Sequence, residues 1–434
     1  MSTAPENVAP PDHSVVFLLV SLLCSSMAIM TQAVVLGKQV YDLTGRELDL
    51  GFLGLAEFAP SAVLVLLTGS IADRYDRRRV AAMGEAGQAI ATGGILWYVA
   101  TGPTAVGPLF ALVVVFGVAR AFAAPASRAL PADIVPAHRL PWVVARYSVT
   151  WQIASIVGPV AGGFLYAADV RLPYVFIVAL LAIASLSVLS VRPHPAATGN
   201  AADVAGLLSA PEIELDHGAP IPARAGLSEA FEGLRFIRRQ PVLLGAISLD
   251  LFAVLFGGAV ALLPAIAEKR LGVGAVGLGW LRAAGGIGAA IVMLRLAVRP
   301  LERAVGRTLL FAVGLFGVAT IVLGATRTYT IAFLAMMIAS GADAVSVFVR
   351  GTLVPLATPK DKRGRVLAVE MVFIGASNEL GAFESGVAGQ VLGPAGAVIL
   401  GGAATVAIAS GWSAVFPDLR DVDRFPSAVE EGVP

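Results

Sequence analysis

The chain has 434 residues, 57% hydrophobic and 14% charged, with a formal net charge of +1 and a mean hydropathy of +0.81. Soluble domains average about 45–50% apolar and about 25% charged residues, so a water-soluble fold is excluded and the long apolar blocks read as an all-α polytopic membrane protein. The short alternating segments of a transmembrane β-barrel do not occur, and Cys24, the single cysteine, allows neither a disulfide framework nor a Cys-based metal site.

The opening MSTAPENVAPPDHS carries no Lys or Arg, so the first apolar run is expected to be a retained helix rather than a cleaved signal. A hydrocarbon core about 30 Å thick takes about 20 apolar residues per helix. Charge clusters and Pro/Gly turns place spans near 14–37, 51–72, 79–100, 104–125, 142–168 and 172–191. A second set follows near 241–267, 275–298, 306–326, 329–350, 364–391 and 395–415. The expected architecture is twelve transmembrane helices in two six-helix bundles, 1–191 and 241–434, the second with a cytoplasmic tail. The linker 192–240 between them begins Pro/Ala/Gly-rich and ends in LSEAFEGLRFIRRQ. There Leu227, Phe231 and Leu234 share a helical face near Arg235, Arg238 and Arg239, which suits either a helix lying on an anionic membrane surface or a solvated linker helix. Loops on one side hold 20 Lys and Arg residues against 6 on the other, which places the basic side and both termini in the cytoplasm.

The halves look related. At an offset of 223, Leu130 falls on Leu353, Pro136 on Pro359, Gly158 on Gly381 and Gly163 on Gly386; at 225, Gly54 falls on Gly279 and Glu57 on Arg282. A duplicated six-helix unit is the signature of a transporter whose substrate site lies between repeats.

Ionisable and amide side chains inside spans are costly and mark function. They are Gln32, Glu57, Arg120, Arg146 and Gln152 in the first half, and Asp250, Arg282, Asp343, Glu370, Asn378, Glu379 and Glu384 in the second. Spans six, nine and twelve have no charged residue in their interiors, and span three has only Glu85. Asp250, about 14 Å along span seven at 1.5 Å per residue, is the first candidate for a protonation site, and Glu57 the second. For each carboxylate the alternative is a structural ion pair, with Arg120, Arg146 or Arg282 as partners. On span eleven Glu370, Ser377, Gly381 and Glu384 share a face and Glu379 points the other way, so one of the two sets is expected to face the cavity. Gly158, Pro159, Gly162 and Gly163 read as a packing and hinge element, with small residues for close helix approach and a proline bend.

The stretch GSIADRYDRRRV, 69–80, between spans two and three, resembles the signature loop of the major facilitator superfamily, with Asp76 where the usual pattern has Gly. ARAFAAPASRALPADIVP (119–136), IVGPVAGG (156–163) and RGRVLAVEMVFIGASNELGAFESG (363–386) are similar to segments of its drug-exporter branch, which includes the enterobactin exporter, macrolide-efflux proteins and transmembrane secretion effectors. The resemblance implies a cytoplasmic gate motif at Gly69, Asp73, Arg74 and Arg78, with Asp73 latching against the start of span eleven. The competing reading of 74–79 is a positive-inside anchor, favoured for Arg77 and Arg79.

GVGAVG (272–277) lies between two spans with no strand before it and fails as a dinucleotide fingerprint. No P-loop, nucleophile triad or His cluster occurs, so enzyme activity, resident metal and cofactor are not expected. The function expected is proton-driven export of an amphipathic small molecule, such as a drug or siderophore, by a monomer in a bacterial cytoplasmic membrane. Lipid, protons and the small-molecule substrate are its partners, with neither nucleic acid nor an ATP-binding subunit. The alternatives are an uptake carrier or facilitator, or a membrane partner protein that transports nothing.

Overall fold

The computed structural model describes residues 13–136, 139–192 and 227–426, except for the side chains at 65–66, 69–70, 72–73, 227–230 and 360–361. Spans one to six are the helices His13–Thr44, Glu47–Arg74, Arg77–Ala100, Gly107–Ile134, Leu140–Ala168 and Leu172–Leu189. Span seven begins as Pro241–Phe256; spans eight, nine and ten are Ala275–Val298, Val305–Ala325 and Tyr329–Ala357. Spans eleven and twelve are the two arms of Lys360–Val415, separated at Gly393 by φ 75° and ψ 159°, a conformation that suits glycine. Among the described residues, nine helices are long and apolar enough to cross a membrane, the last of them holding both of these arms. Glu47–Arg74 and Arg77–Ala100 complete the twelve. Pro at the first turn starts spans four, five, six and seven, where its missing N–H costs nothing.

Span seven departs from a plain helix. After Gly257 and Gly258 it continues as a 3-10 turn, Ala259–Leu262, a short α segment, Leu263–Ala265, and a π turn, Ile266–Arg270. Two glycines and Pro264 within eight residues account for the change of winding. Span ten is longer than the expected 329–350: it runs to Ala357, so Arg350 lies inside a helix and not in a cytoplasmic loop.

Span one packs on five and six, span three on four and six, and span two on four. In the second half span eight packs on ten, span nine on ten, and span seven against the Lys360–Val415 hairpin. Span five meets span eight, and span two meets span eleven, across the two halves. The end of the bundle holding His13 and Val415 is called the near end below, and the end holding Thr44 and Glu47 the far end.

The linker helix, Leu227–Arg239, packs on the second half. Leu234, Phe236 and Ile237 pack against Leu243, Ile247, Val354, Val366 and Val369 of spans seven, ten and eleven. Glu232 also pairs with Arg365 at 3.2 Å. Phe231 is the exposed residue of the expected apolar face, at 68%. Leu234, Phe236 and Ile237 are thus covered by the near ends of three spans, while Phe231 stays exposed.

Candidate functional site

The far end is sealed by contacts between the halves. Lys38 of span one donates to Asp42, and also to Glu268 of span seven at 2.9 Å; Tyr166 of span five donates to Asp42 at 2.8 Å. Lys269 of span seven donates to Glu47 of span two at 2.7 Å. Backbones approach closely beneath this polar rim. A Cβ on Gly163 would lie 2.5 Å from the Ala275 carbonyl oxygen, and one on Gly279 the same distance from that of Pro159. Spans five and eight approach this closely at that level because both positions are glycine. Gly51 and Gly386 meet similarly between spans two and eleven. Gly158 and Gly162 pack instead on span one, where Thr31 donates to the Gly158 carbonyl at 3.0 Å. Deeper in, the Gln152 amide donates to the Gly286 carbonyl at 2.8 Å, again from span five to span eight.

Two charge clusters lie between the far seal and the near end. In the first, Arg120 of span four donates to Glu57 of span two at 2.8 Å, with side-chain exposures of 3% and 13%. Arg282 of span eight is close enough to interact electrostatically with Glu57, and Glu379 of span eleven with Arg120. The Glu379 carboxylate also lies 3.2 Å from the Cβ position of Gly54 on span two. This cluster therefore draws on both halves.

The second cluster is internal to the C-terminal half. Arg350 of span ten pairs with Asp250 of span seven at 2.7 Å and with Glu370 of span eleven at 3.8 Å. All three are buried. Among the described residues, two carboxyl groups here share one guanidinium. Span eleven lies between spans two and seven, so Glu370 and Glu379, on opposite faces, are both engaged.

A cavity in the near half of the first bundle is lined by Ser21, Ser25, Glu85, Gln88, Arg120 and Trp151, among others. Arg128 and Tyr147 also line it. Of the remaining candidates, Gln32 is buried and accepts from Thr92 at 3.1 Å. Asp343, Asn378 and Glu384 are half-buried. Arg146 is exposed and stacks on Trp142, with 3.5 Å from guanidinium carbon to ring centroid, rather than joining a carboxylate.

In the signature loop, the side chains at 69 and 73 lie outside the described residues, and the latch expected of Asp73 lies there too. Arg74 is exposed. Asp76 caps span three: its carboxylate accepts from the Arg78 backbone N–H at 3.1 Å and from the Arg78 guanidinium at 2.7 Å. Hydrogen bonding by Arg78 holds the Asp76 carboxyl below the usual carboxylate range. Arg78 also donates to the Val191 carbonyl, and Arg77 pairs with Asp133, each at 2.8 Å, so these arginines tie the loop to spans four and six.

A twelve-helix bundle with buried charge at its centre, its halves meeting through spans two and eleven and spans five and eight, is that of a membrane transporter and not of an enzyme. The chain belongs to the Major Facilitator Superfamily, whose profile matches residues 18–382. It is 26% identical over 294 residues to the uncharacterized MFS-type transporter YfiS of Bacillus subtilis (strain 168), a match that takes in 66% of this chain and 64% of that relative's length. Among solved structures, the fold is similar to a bacterial homologue of the human lysosomal transporter Spinster, inward-facing and unoccupied, with a TM-score of 0.68 and 15% identity over 95% of this chain and 97% of that one. The inward-open xylose transporter XylE from E. coli gives a TM-score of 0.66 and 14% identity over 96% and 98%. The human organic anion transporter MFSD10 gives 0.59 and 18% over 93% and 100%.

Sequence reasoning missed Arg350 and the far rim of Lys38, Glu47, Glu268 and Lys269. Arg350 stood in the cytoplasmic tally because it adjoins the cluster 360–365. Its signal was the position of Asp250 and Glu370, two acidic residues deep in apolar helices that require a partner.

Proposed function

We propose that the protein is a proton-coupled exporter of amphipathic small molecules, working by alternating access in a bacterial cytoplasmic membrane as a monomer. The observation that carries this reading is the Asp250–Arg350–Glu370 cluster. Among the described residues, two buried carboxyl groups from spans seven and eleven share one buried guanidinium from span ten, and a proton binds and leaves there as the helices shift. The Lys/Arg bias of the loops supports a cytoplasmic near end, and the ion pairs between the halves then close the extracytoplasmic side in the described conformation. Export and the drug or siderophore class rest on the resemblance of 119–136, 156–163 and 363–386 to the exporter branch. The cavity combines hydroxyl, carboxyl and aromatic side chains, as an amphipathic substrate needs. The polar linker helix Leu227–Arg239 joins the halves at the cytoplasmic face, with the bundles 1–191 and 241–434 as the rocking units.

The test is a screen of siderophores and antibiotics for accumulation in everted vesicles driven by an inward-acid pH difference. Accumulation by the wild type, with Glu370→Gln reduced to equilibration, is the expected result. Accumulation that persists when the pH difference is collapsed, or that Glu370→Gln leaves intact, overturns the reading.

A further inference from the structure

The second-half cluster has an uncharged counterpart in the first half. At the 223-residue offset Glu370 falls on Tyr147 and Arg350 on Ser127, and at 225 Asp250 falls on Ser25. All three counterparts line the same cavity of the first bundle. The pseudo-symmetric positions of the first half thus carry hydroxyl groups and no carboxyl or guanidinium. The same cavity contains another carboxyl that the pseudo-symmetry does not supply, Glu85 of span three.

Glu85 is 2% exposed. Its Oε1 accepts from the Ser21 hydroxyl of span one at 3.2 Å, and its Oε2 has no hydrogen-bond partner among the described residues. The groups around it come from each neighbouring helix. Span one brings Ser21 and, within electrostatic reach, the Cys24 thiol. Span four brings Arg120, committed to Glu57 at 2.8 Å, and Arg128 to the cavity wall. Span five brings Tyr147, and span six the apolar Val188. On span three itself Gln88 gives its amide N–H to the Gly84 carbonyl and keeps a buried, unpartnered Oε1. No ion pair reaches Glu85 among the described residues; the cavity wall also holds the buried Trp151 Nε1 and Arg120 Nε, neither with a hydrogen-bond partner among the described residues. A bare carboxylate in this setting would forgo hydration with one hydroxyl in return. A carboxylic acid avoids that desolvation, and its O–H can be given to the buried Gln88 Oε1 on the same helix.

We infer that Glu85 holds a proton in the conformation described, as a second proton-binding site in the N-terminal half, separate from Asp250–Arg350–Glu370. Its hydrogen-bond partner sits on span one and the acid on span three, so relative movement of these helices opens the site to water. The inference does not depend on the direction of transport.

Infrared spectroscopy of the full-length protein in nanodiscs, titrated from neutral to alkaline pH, tests it. The wild type is expected to show the C=O stretch of a protonated carboxyl group at neutral pH, disappearing on alkalinisation. Glu85→Gln loses that component, Glu85→Asp retains one at a shifted frequency, and Glu370→Gln leaves the Glu85 component in place. Wild-type circular dichroism of each variant controls for folding. A Glu85→Gln spectrum superimposable on the wild type overturns the inference. So does a Glu85→Asp spectrum without a shifted component. Loss of coupling in Glu370→Gln with an unaltered Glu85 band separates this site from the one proposed above.

Discussion

Arg350 offers the sharpest test of how the second half is held together. Replacing it by Met leaves the stem volume roughly intact but strands Asp250 and Glu370, which with Arg350 are 3%, 7% and 3% exposed. Removing one partner of a buried ion pair costs about 3–5 kcal/mol, because a charge is left without compensation. Proton uptake caps that cost. A carboxyl group that ordinarily ionises about three units below neutral pH is neutralised at pH 7 for about 4 kcal/mol, at 1.36 kcal/mol per unit. The expected loss for Arg350→Met is therefore about 3–4 kcal/mol for each carboxylate that stays ionised, and acidification recovers part of it. Thermal unfolding of detergent-solubilised protein at pH 7 and pH 5 measures both. Substituting all three residues, as Asp250→Leu, Arg350→Met and Glu370→Leu, removes the charges together and is expected to restore most of the stability. A single variant that melts with the wild type, or a triple variant less stable than the single one, refutes the reasoning.

Two further predictions concern the seam and the loop. Gly163→Val drives a branched side chain into the Ala275 carbonyl, 2.5 Å from the Cβ position. Overpacking of this kind costs about 1–3 kcal/mol, so opening of the far end should become about 5- to 150-fold more frequent. Faster hydrogen exchange at 271–279 is the readout, and unchanged exchange there argues against the close approach. Asp76→Ala removes the cap of span three and should cost about 0.5–2 kcal/mol, read as lost amide protection at 77–80. The Asp76 carboxyl is held below its ordinary value of 3.8, chiefly by Arg78, so its contribution is present at neutral pH and lost as the pH falls through the folded value. Wild type and variant should converge only below the folded value, which itself lies under 3.8.

Much of the fold was legible because the bilayer imposes a length on each apolar run, and charge clusters marked the ends. Arg350 shows where that logic fails. A charge ends a span only when it has no partner inside, and Asp250 and Glu370 lie 100 and 20 residues away in sequence. Asp76 is the opposite case. Its departure from the usual glycine was visible as an oddity, and the structure gives it local work as a helix cap. Glu370 and Glu379 were correctly placed on opposite faces of span eleven, but periodicity says nothing of how many neighbours a helix has. The rim of Lys38, Glu268, Lys269 and Glu47 consists of ordinary loop-end charges whose pairing depends on the register between helices more than 200 residues apart.

The altered winding of span seven gives that rim some slack. A 3-10 turn rises about 2.0 Å per residue and an α turn about 1.5 Å, so rewinding Ala259–Leu262 changes the length of the span by about 2 Å. Glu268 and Lys269 sit just beyond this turn. Their grip on Lys38 and Glu47 therefore works through a short spring rather than a rigid rod. Rewinding this turn would move Glu268 and Lys269 by about that length against Lys38 and Glu47, a stroke comparable to the length of the hydrogen bonds that join them.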